Sequence, residues 1–170
     1  MIDIAGTAAP RFAAVKDAFA ANFAAGEELG ARFTVVEAGE VVVDLWAGHA
    51  DRKQTRPFDA RTLTPVFSTT KAIAALLMAR LVGQGKLDYA QTVASVWPDY
   101  AQAGKGAVTV EQMLSHQDGL SGFPDPMEPV EWFDWDLICA KLAAMTPLWP
   151  PGTASGYHPI TFGYLAGEIF

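Results

Sequence analysis

Val66-Phe67-Ser68-Thr69-Thr70-Lys71, running on into Ala72-Ile73-Ala74-Ala75-Leu76-Leu77-Met78-Ala79, is the stretch that decides how this chain reads. From Thr69 to about Val82 it is almost free of helix breakers, and Gly83 and Gly85 end it. Lys71 is the only charge between Arg61 and Arg80, and a helix apolar on nearly every face belongs inside a protein. On that helix Ser68 and Lys71, three residues apart, share one face about one turn apart. A serine hydroxyl is a weak nucleophile, and a neighbouring amine activates it only when part of the time unprotonated. Burial of Lys71 favours that state. Ser68, at the helix start, also offers a backbone N–H without an intrahelical partner, near the positive end of the helix dipole. The plain alternative is an N-capped helix with one snorkelling lysine, since so short a motif is common by chance.

Outward from this stretch, Ala31–Glu37 and Glu40–Trp46 are rich in β-branched and aromatic residues, with Ala38-Gly39 between them, and predict a β-hairpin. Before it, Phe12, Val15, Phe19 and Phe23 recur every three to four residues, which suits an amphipathic helix over 11–25 that layers onto a sheet. The polar segment Arg52–Arg61 reads as a surface connection into the buried helix. Beyond that helix, Thr109–Leu114 reads as a short capped helix, Phe123–Pro129 with its three prolines as a loop, and Asp134–Ala144 and Thr161–Phe170 as helices. No internal repeat or low-complexity linker interrupts the 170 residues.

Composition narrows the function. With 51% hydrophobic and 18% charged residues the chain can bury a sizeable core. The net charge of -7, with 12 Lys and Arg thinly spread, leaves no basic stripe for nucleic acid. The longest apolar run is eight residues, against about 20 for a membrane span. Cys139 is the only cysteine, so no intrachain disulfide or cysteine cluster forms. The first residues lack a basic region followed by an apolar core, which points to the cytoplasm.

In order and spacing, several segments resemble the class C β-lactamase, D-aminopeptidase and family VIII carboxylesterase group of penicillin-recognising serine hydrolases. They are Trp46-Ala47-Gly48-His49-Ala50-Asp51, Ser68-Thr69-Thr70-Lys71, Gly85-Lys86-Leu87-Asp88, Thr109 through Leu120, and Pro151-Gly152-Thr153-Ala154-Ser155-Gly156-Tyr157. The resemblance extends from about Arg32 to Phe170. It implies an α+β fold of the β-lactamase/transpeptidase type, an antiparallel sheet flanked by helices with an added helical region. Residues 1–170 are then the N-terminal portion of one such domain: 1–66 helix and hairpin, 67–170 mostly helical and carrying two motifs. It further implies Ser68 as nucleophile, Lys71 as its partner and Tyr157 as general base, with no cofactor. A phenol of pKa near ~10 serves as a base only where nearby cations stabilise phenolate. The alternative for Tyr157 is a core tyrosine with a bonded hydroxyl.

Other candidates are weaker. His116 with Ser68 and Asp118 suggests a triad, but in Ser115-His116-Gln117-Asp118-Gly119-Leu120 the histidine resembles a structural turn of the family and reads as a loop buttress. His49, His116 and His158 lack the spacing of a zinc set, so no metal is expected. Trp132, Trp135 and Trp149, with Phe133 near the proline-rich loop, are candidates for an acyl or aryl pocket, with His158 beside Tyr157, although core packing explains them equally well. Gly119–Phe123 fails the last position of a Gly-x-Ser-x-Gly elbow.

The sequence departs from the family's lactamases at Tyr157-His158-Pro159, where they carry asparagine two residues after the tyrosine. Pro159 has no side-chain amide to hold a lactam, which favours short or medium acyl esters as the small-molecule substrate. A β-lactam or D-amino-acid amide is the alternative, and a catalytically silent binding module the third. No third motif precedes Phe170. The expectation is therefore a fragment, inactive or aggregation-prone alone, that a complementary C-terminal segment or a homo-oligomer completes.

Overall fold

Ala38 and Gly39 both take positive φ, 49° and 86°, which makes the two-residue turn whose twist suits a hairpin. A computed structural model describes residues 2–170, and its internal contacts group the chain into two units, Met1–Pro65 and Val66–Phe170.

In Met1–Pro65 the elements are β1 (Ala5–Ala8), α1 (Ala13–Ala24), β2 (Gly30–Glu37) and β3 (Glu40–Gly48). The sheet is antiparallel in the order β1-β3-β2. Along central β3 the side chains alternate: Val43, Leu45 and Ala47 are buried, as period two requires of a strand with one covered face. The hairpin was legible in the sequence. β1 was not, because Ala5-Gly6-Thr7-Ala8 carries only one β-branched residue. It pairs through backbone, and a Cβ on Gly6 (φ +93°) would lie 2.0 Å from the Asp44 carbonyl oxygen, so only glycine permits this approach. Arg32 Nε and Nη2 each donate to the Asp44 carboxylate at 2.8 Å, and Nη1 reaches the Ala60 carbonyl at 2.6 Å, tying the following loop to the sheet. The guanidinium holds Asp44 below the usual carboxylate range. Phe12, in the 3-10 turn before α1, and Val15 and Phe19 on the helix are half-buried and Phe23 is buried, so the predicted stripe is the packed one.

Val66–Phe170 contains α2 (Thr70–Gly83), α3 (Val110–Leu114), α4 (Trp135–Ala144) and α5 (Thr161–Ile169), joined by 3-10 turns. Its core unites Met113, Leu120, Ile138, Leu142, Phe162 and Leu165. Thr109 caps α3 with a full capping box through Gln112. The structure corrects the reading of α2 as buried all round. One stripe, Ala74, Met78, Leu81 and Val82, meets the core, while Ile73, Leu76 and Leu77 are 55%, 65% and 41% exposed. Periodicity told that the helix is apolar; which faces are covered depends on neighbours, and only one stripe has them among the described residues.

Lys105 is fully buried, which composition gave no reason to expect. Its ammonium donates to the carbonyls of Gln102, Ala143 and Met145 at 2.9, 2.9 and 2.6 Å, the last two at the C-terminal end of α4. A cation there satisfies carbonyls the helix leaves open. Burial lowers the Lys105 pKa, and the nearby Asp118 opposes that shift. Among the described residues no helix is long and apolar enough to cross a membrane.

Candidate active site

Phe67 takes φ +45°, a left-handed backbone that a bulky residue rarely adopts, immediately before Ser68. A single 3-10 turn, Phe67–Thr69, then leads into α2 and leaves Ser68 exposed at its mouth. One turn on, the Lys71 ammonium lies 3.2 Å from Ser68 Oγ, as the helical spacing requires. Lys71 is half-buried rather than enclosed.

The other half of the site comes from the segment before α5. Lys71 Nζ donates to the Pro159 carbonyl oxygen at 2.8 Å and lies 4.8 Å from the centroid of the Tyr157 ring. Tyr157 is 53% exposed. Its phenol is held below the ordinary tyrosine pKa, first by hydrogen bonding from the Ser68 side chain, then by Lys71. The structure thus brings Ser68, Lys71 and Tyr157 together. Ser68 and Lys71 open onto a cleft of about 310 Å³ walled by Phe67, Ala74, Ile160 and Phe162.

His116 buttresses this arrangement. It takes φ +64° after α3, and its carbonyl accepts the Gly156 N–H at 3.0 Å. Its Nδ1 accepts the His158 N–H at 3.2 Å, so that nitrogen is occupied. The ring packs 5.1, 5.0 and 5.2 Å from the rings of Tyr157, His158 and Phe162. Burial, then His158 and Lys71, lowers its pKa.

The four residues expected to line an aromatic pocket fall in different places. His158 is fully buried, with Nε2 2.6 Å from Asp118 Oδ1, so it cannot line an open pocket. Trp135 packs on the Tyr164 ring and hydrogen-bonds Glu168, and Trp149 packs against Gly156 and donates to the Ala154 carbonyl at 2.9 Å. Trp149 serves local packing, while Trp135 also lines an open pocket of about 590 Å³ with Val130, Phe133 and Leu137. Trp132 alone lines a cavity beside the cleft, of about 320 Å³, with Phe123, Met127 and Ile160. Sequence reasoning missed Tyr100, whose hydroxyl donates to Asp118 Oδ2 at 2.9 Å inside the core. No local signal marked it, because Tyr100 and Asp118 stand 18 residues apart in the sequence.

A serine and a lysine at the mouth of an apolar helix, faced by a tyrosine from the segment before α5, define the β-lactamase/transpeptidase-like fold class, and comparison with known proteins agrees. The Beta-lactamase family model matches residues 15–170, and the chain belongs to that family. It is 38% identical to the esterase/beta-lactamase LipL of Mycobacterium tuberculosis over 96% of this chain and 38% of LipL. It is 34% identical to esterase EstB of Burkholderia gladioli over 76% of this chain and 37% of EstB. A penicillin-binding protein homolog from Caulobacter crescentus superposes with a TM-score of 0.93 at 67% identity, over 98% of this chain and 45% of that one. A family VIII carboxylesterase superposes at 0.90 and 49%, over 99% and 46%. The chain thus spans less than half the length of these relatives.

Proposed function

We propose that this chain supplies the nucleophile half of a serine hydrolase that cleaves small carboxylic esters with short or medium acyl groups. The observation that carries the reading is the Lys71 ammonium, 3.2 Å from Ser68 Oγ and beside the Tyr157 ring. In this reading Ser68 Oγ attacks the ester carbonyl while its proton passes to the Lys71–Tyr157 pair. The tetrahedral intermediate collapses to acyl-Ser68, and the departing alkoxide takes that proton. Water, deprotonated by the same pair, then releases the acid and restores Ser68. The Ser68 N–H, in the first turn, is one donor to the developing oxyanion.

The two portions expected from the sequence, 1–66 and 67–170, are read as parts of one β-lactamase-like domain. The esterase names of LipL, EstB and the family VIII carboxylesterase support ester cleavage, as does Pro159, which offers a carbonyl to Lys71 and no side-chain amide. LipL's name also includes β-lactamase, which keeps lactam hydrolysis as a second reading. Intact-mass analysis after exposure to a fluorophosphonate tests the nucleophile. With the complementary C-terminal segment supplied, one adduct is expected on the chain and none on Ser68→Ala; an adduct that survives the substitution sinks the assignment. Turnover of p-nitrophenyl esters against nitrocefin then separates ester from lactam.

A further inference from the structure

Between Tyr157 and Pro159 stands His158, and both its neighbours touch the Lys71 ammonium, one through its ring and one through its carbonyl. His158 itself points the other way, into the core, where it and Asp118 are both fully buried. Its Nδ1 faces the Gly156 carbonyl oxygen at 2.6 Å and its Nε2 faces Asp118 Oδ1 at 2.6 Å. The Gly156 carbonyl can only accept, so Nδ1 carries the imidazole N–H and donates to it. Asp118 is held in turn by the Tyr100 hydroxyl at 2.9 Å, and the Leu120 N–H points at His158 Nε2 at 3.1 Å. The His158 N–H is taken by His116 Nδ1.

We propose that the buried His158–Asp118 pair is a positioning device for the Lys71–Tyr157 couple, fixing the middle of Tyr157-His158-Pro159 so that its two flanks grip the ammonium. This rests on the proposed role of Tyr157 as base. The charged and titratable groups around His158 are Asp118, His116 and, through them, Tyr100, Lys105, Lys71 and Tyr157. No part of the pair reaches the cleft, so it acts only through the segment it anchors.

The reasoning gives a signature that mere packing would not. Asp118→Leu keeps much of the bulk but removes the carboxylate that holds both His158 Nε2 and the Tyr100 hydroxyl. His158 then keeps only its bond to the Gly156 carbonyl, the ring is free to turn, and the hold on Tyr157-His158-Pro159 loosens. His158→Gln keeps a donor toward Asp118 and loses the bond to Gly156. Either change lets the ammonium drift from Tyr157, and the phenol returns toward its ordinary value of about 10.

The experiment is a phenolate absorbance titration of the chain and of each variant, each minus its Tyr157→Phe counterpart, which isolates Tyr157 without requiring activity. The expected result is a rise in the Tyr157 midpoint toward the ordinary tyrosine value in Asp118→Leu and a smaller rise in His158→Gln. A folded variant with an unchanged midpoint overturns the proposal. Should either variant not fold, amide exchange on the unaltered chain decides. Leu120 and His158 amides protected like the core support the tether, and exchange at exposed-loop rates overturns it. Failure of the nucleophile reading shows separately, as no fluorophosphonate adduct on Ser68.

Discussion

Lys71 donates from its ammonium to the backbone oxygen of Pro159 at 2.8 Å, across 88 residues of chain. Together with the contact to Ser68 Oγ, that bond ties Lys71 both to its own helix and to the segment before α5. Pro159 suits the task because its ring fixes φ and leaves only a carbonyl to offer.

Lys71→Met keeps the length of the side chain and removes the amine. The rate of fluorophosphonate labelling, followed by intact mass, should fall by about 10²- to 10⁴-fold. The thermal midpoint should change little, because Lys71 is only half-buried. Lys71→Arg should not restore the rate, since a guanidinium stays protonated. Labelling of the arginine variant at the original rate would remove Lys71 from proton transfer.

The Tyr157 phenol is held below its ordinary value by Ser68 and Lys71. Labelling should therefore rise with pH and level off below about 10. Tyr157→Phe should lower the rate and flatten that limb. A limb of the same height and midpoint in the phenylalanine variant would assign the proton transfer elsewhere.

His116 has a folded pKa below its unfolded value of about 6.5, chiefly through burial. As pH falls through that value the unfolded chain binds the proton first, so the stability contribution is whole above about 6.5 and is lost on acidification. His116→Asn tolerates the positive φ and can still accept the His158 N–H. Its melting temperature should decline less between neutral and mildly acidic pH than that of the unaltered chain. Parallel declines would place the acid sensitivity in other groups.

Lys105→Met leaves the buried carbonyls of Gln102, Ala143 and Met145 without their shared donor. The expected loss is on the order of 3 kcal/mol in urea unfolding, the scale of orphaned buried acceptors. A loss within about 0.5 kcal/mol would mean that water replaces the ammonium there.

Much of the fold was legible because local rules dominate where it was read. Ala38-Gly39 announces its turn, the Phe12, Val15, Phe19 and Phe23 spacing its helix face, and Thr109 with Gln112 its cap. β1 escaped because its pairing depends on the neighbouring strand rather than on its own residues. The tryptophans misled for a related reason: an aromatic packs well in a core or in a pocket, and composition cannot say which. Trp149 found its partner in Gly156, Trp135 packs on Tyr164 at the edge of an open pocket, and Trp132 reached a cavity.

By itself the sequence determined the one-turn relation of Ser68 to Lys71, because three residues on a helix allow little else. It determined the apolar character of α2 as well, but not which of its faces would be covered. Only the tertiary structure decided that Tyr157 and Pro159 close on Lys71, and that His158 turns inward to Asp118. Contacts over such separations depend on how α5 and the turn around His116 pack against α2, and no local propensity encodes that.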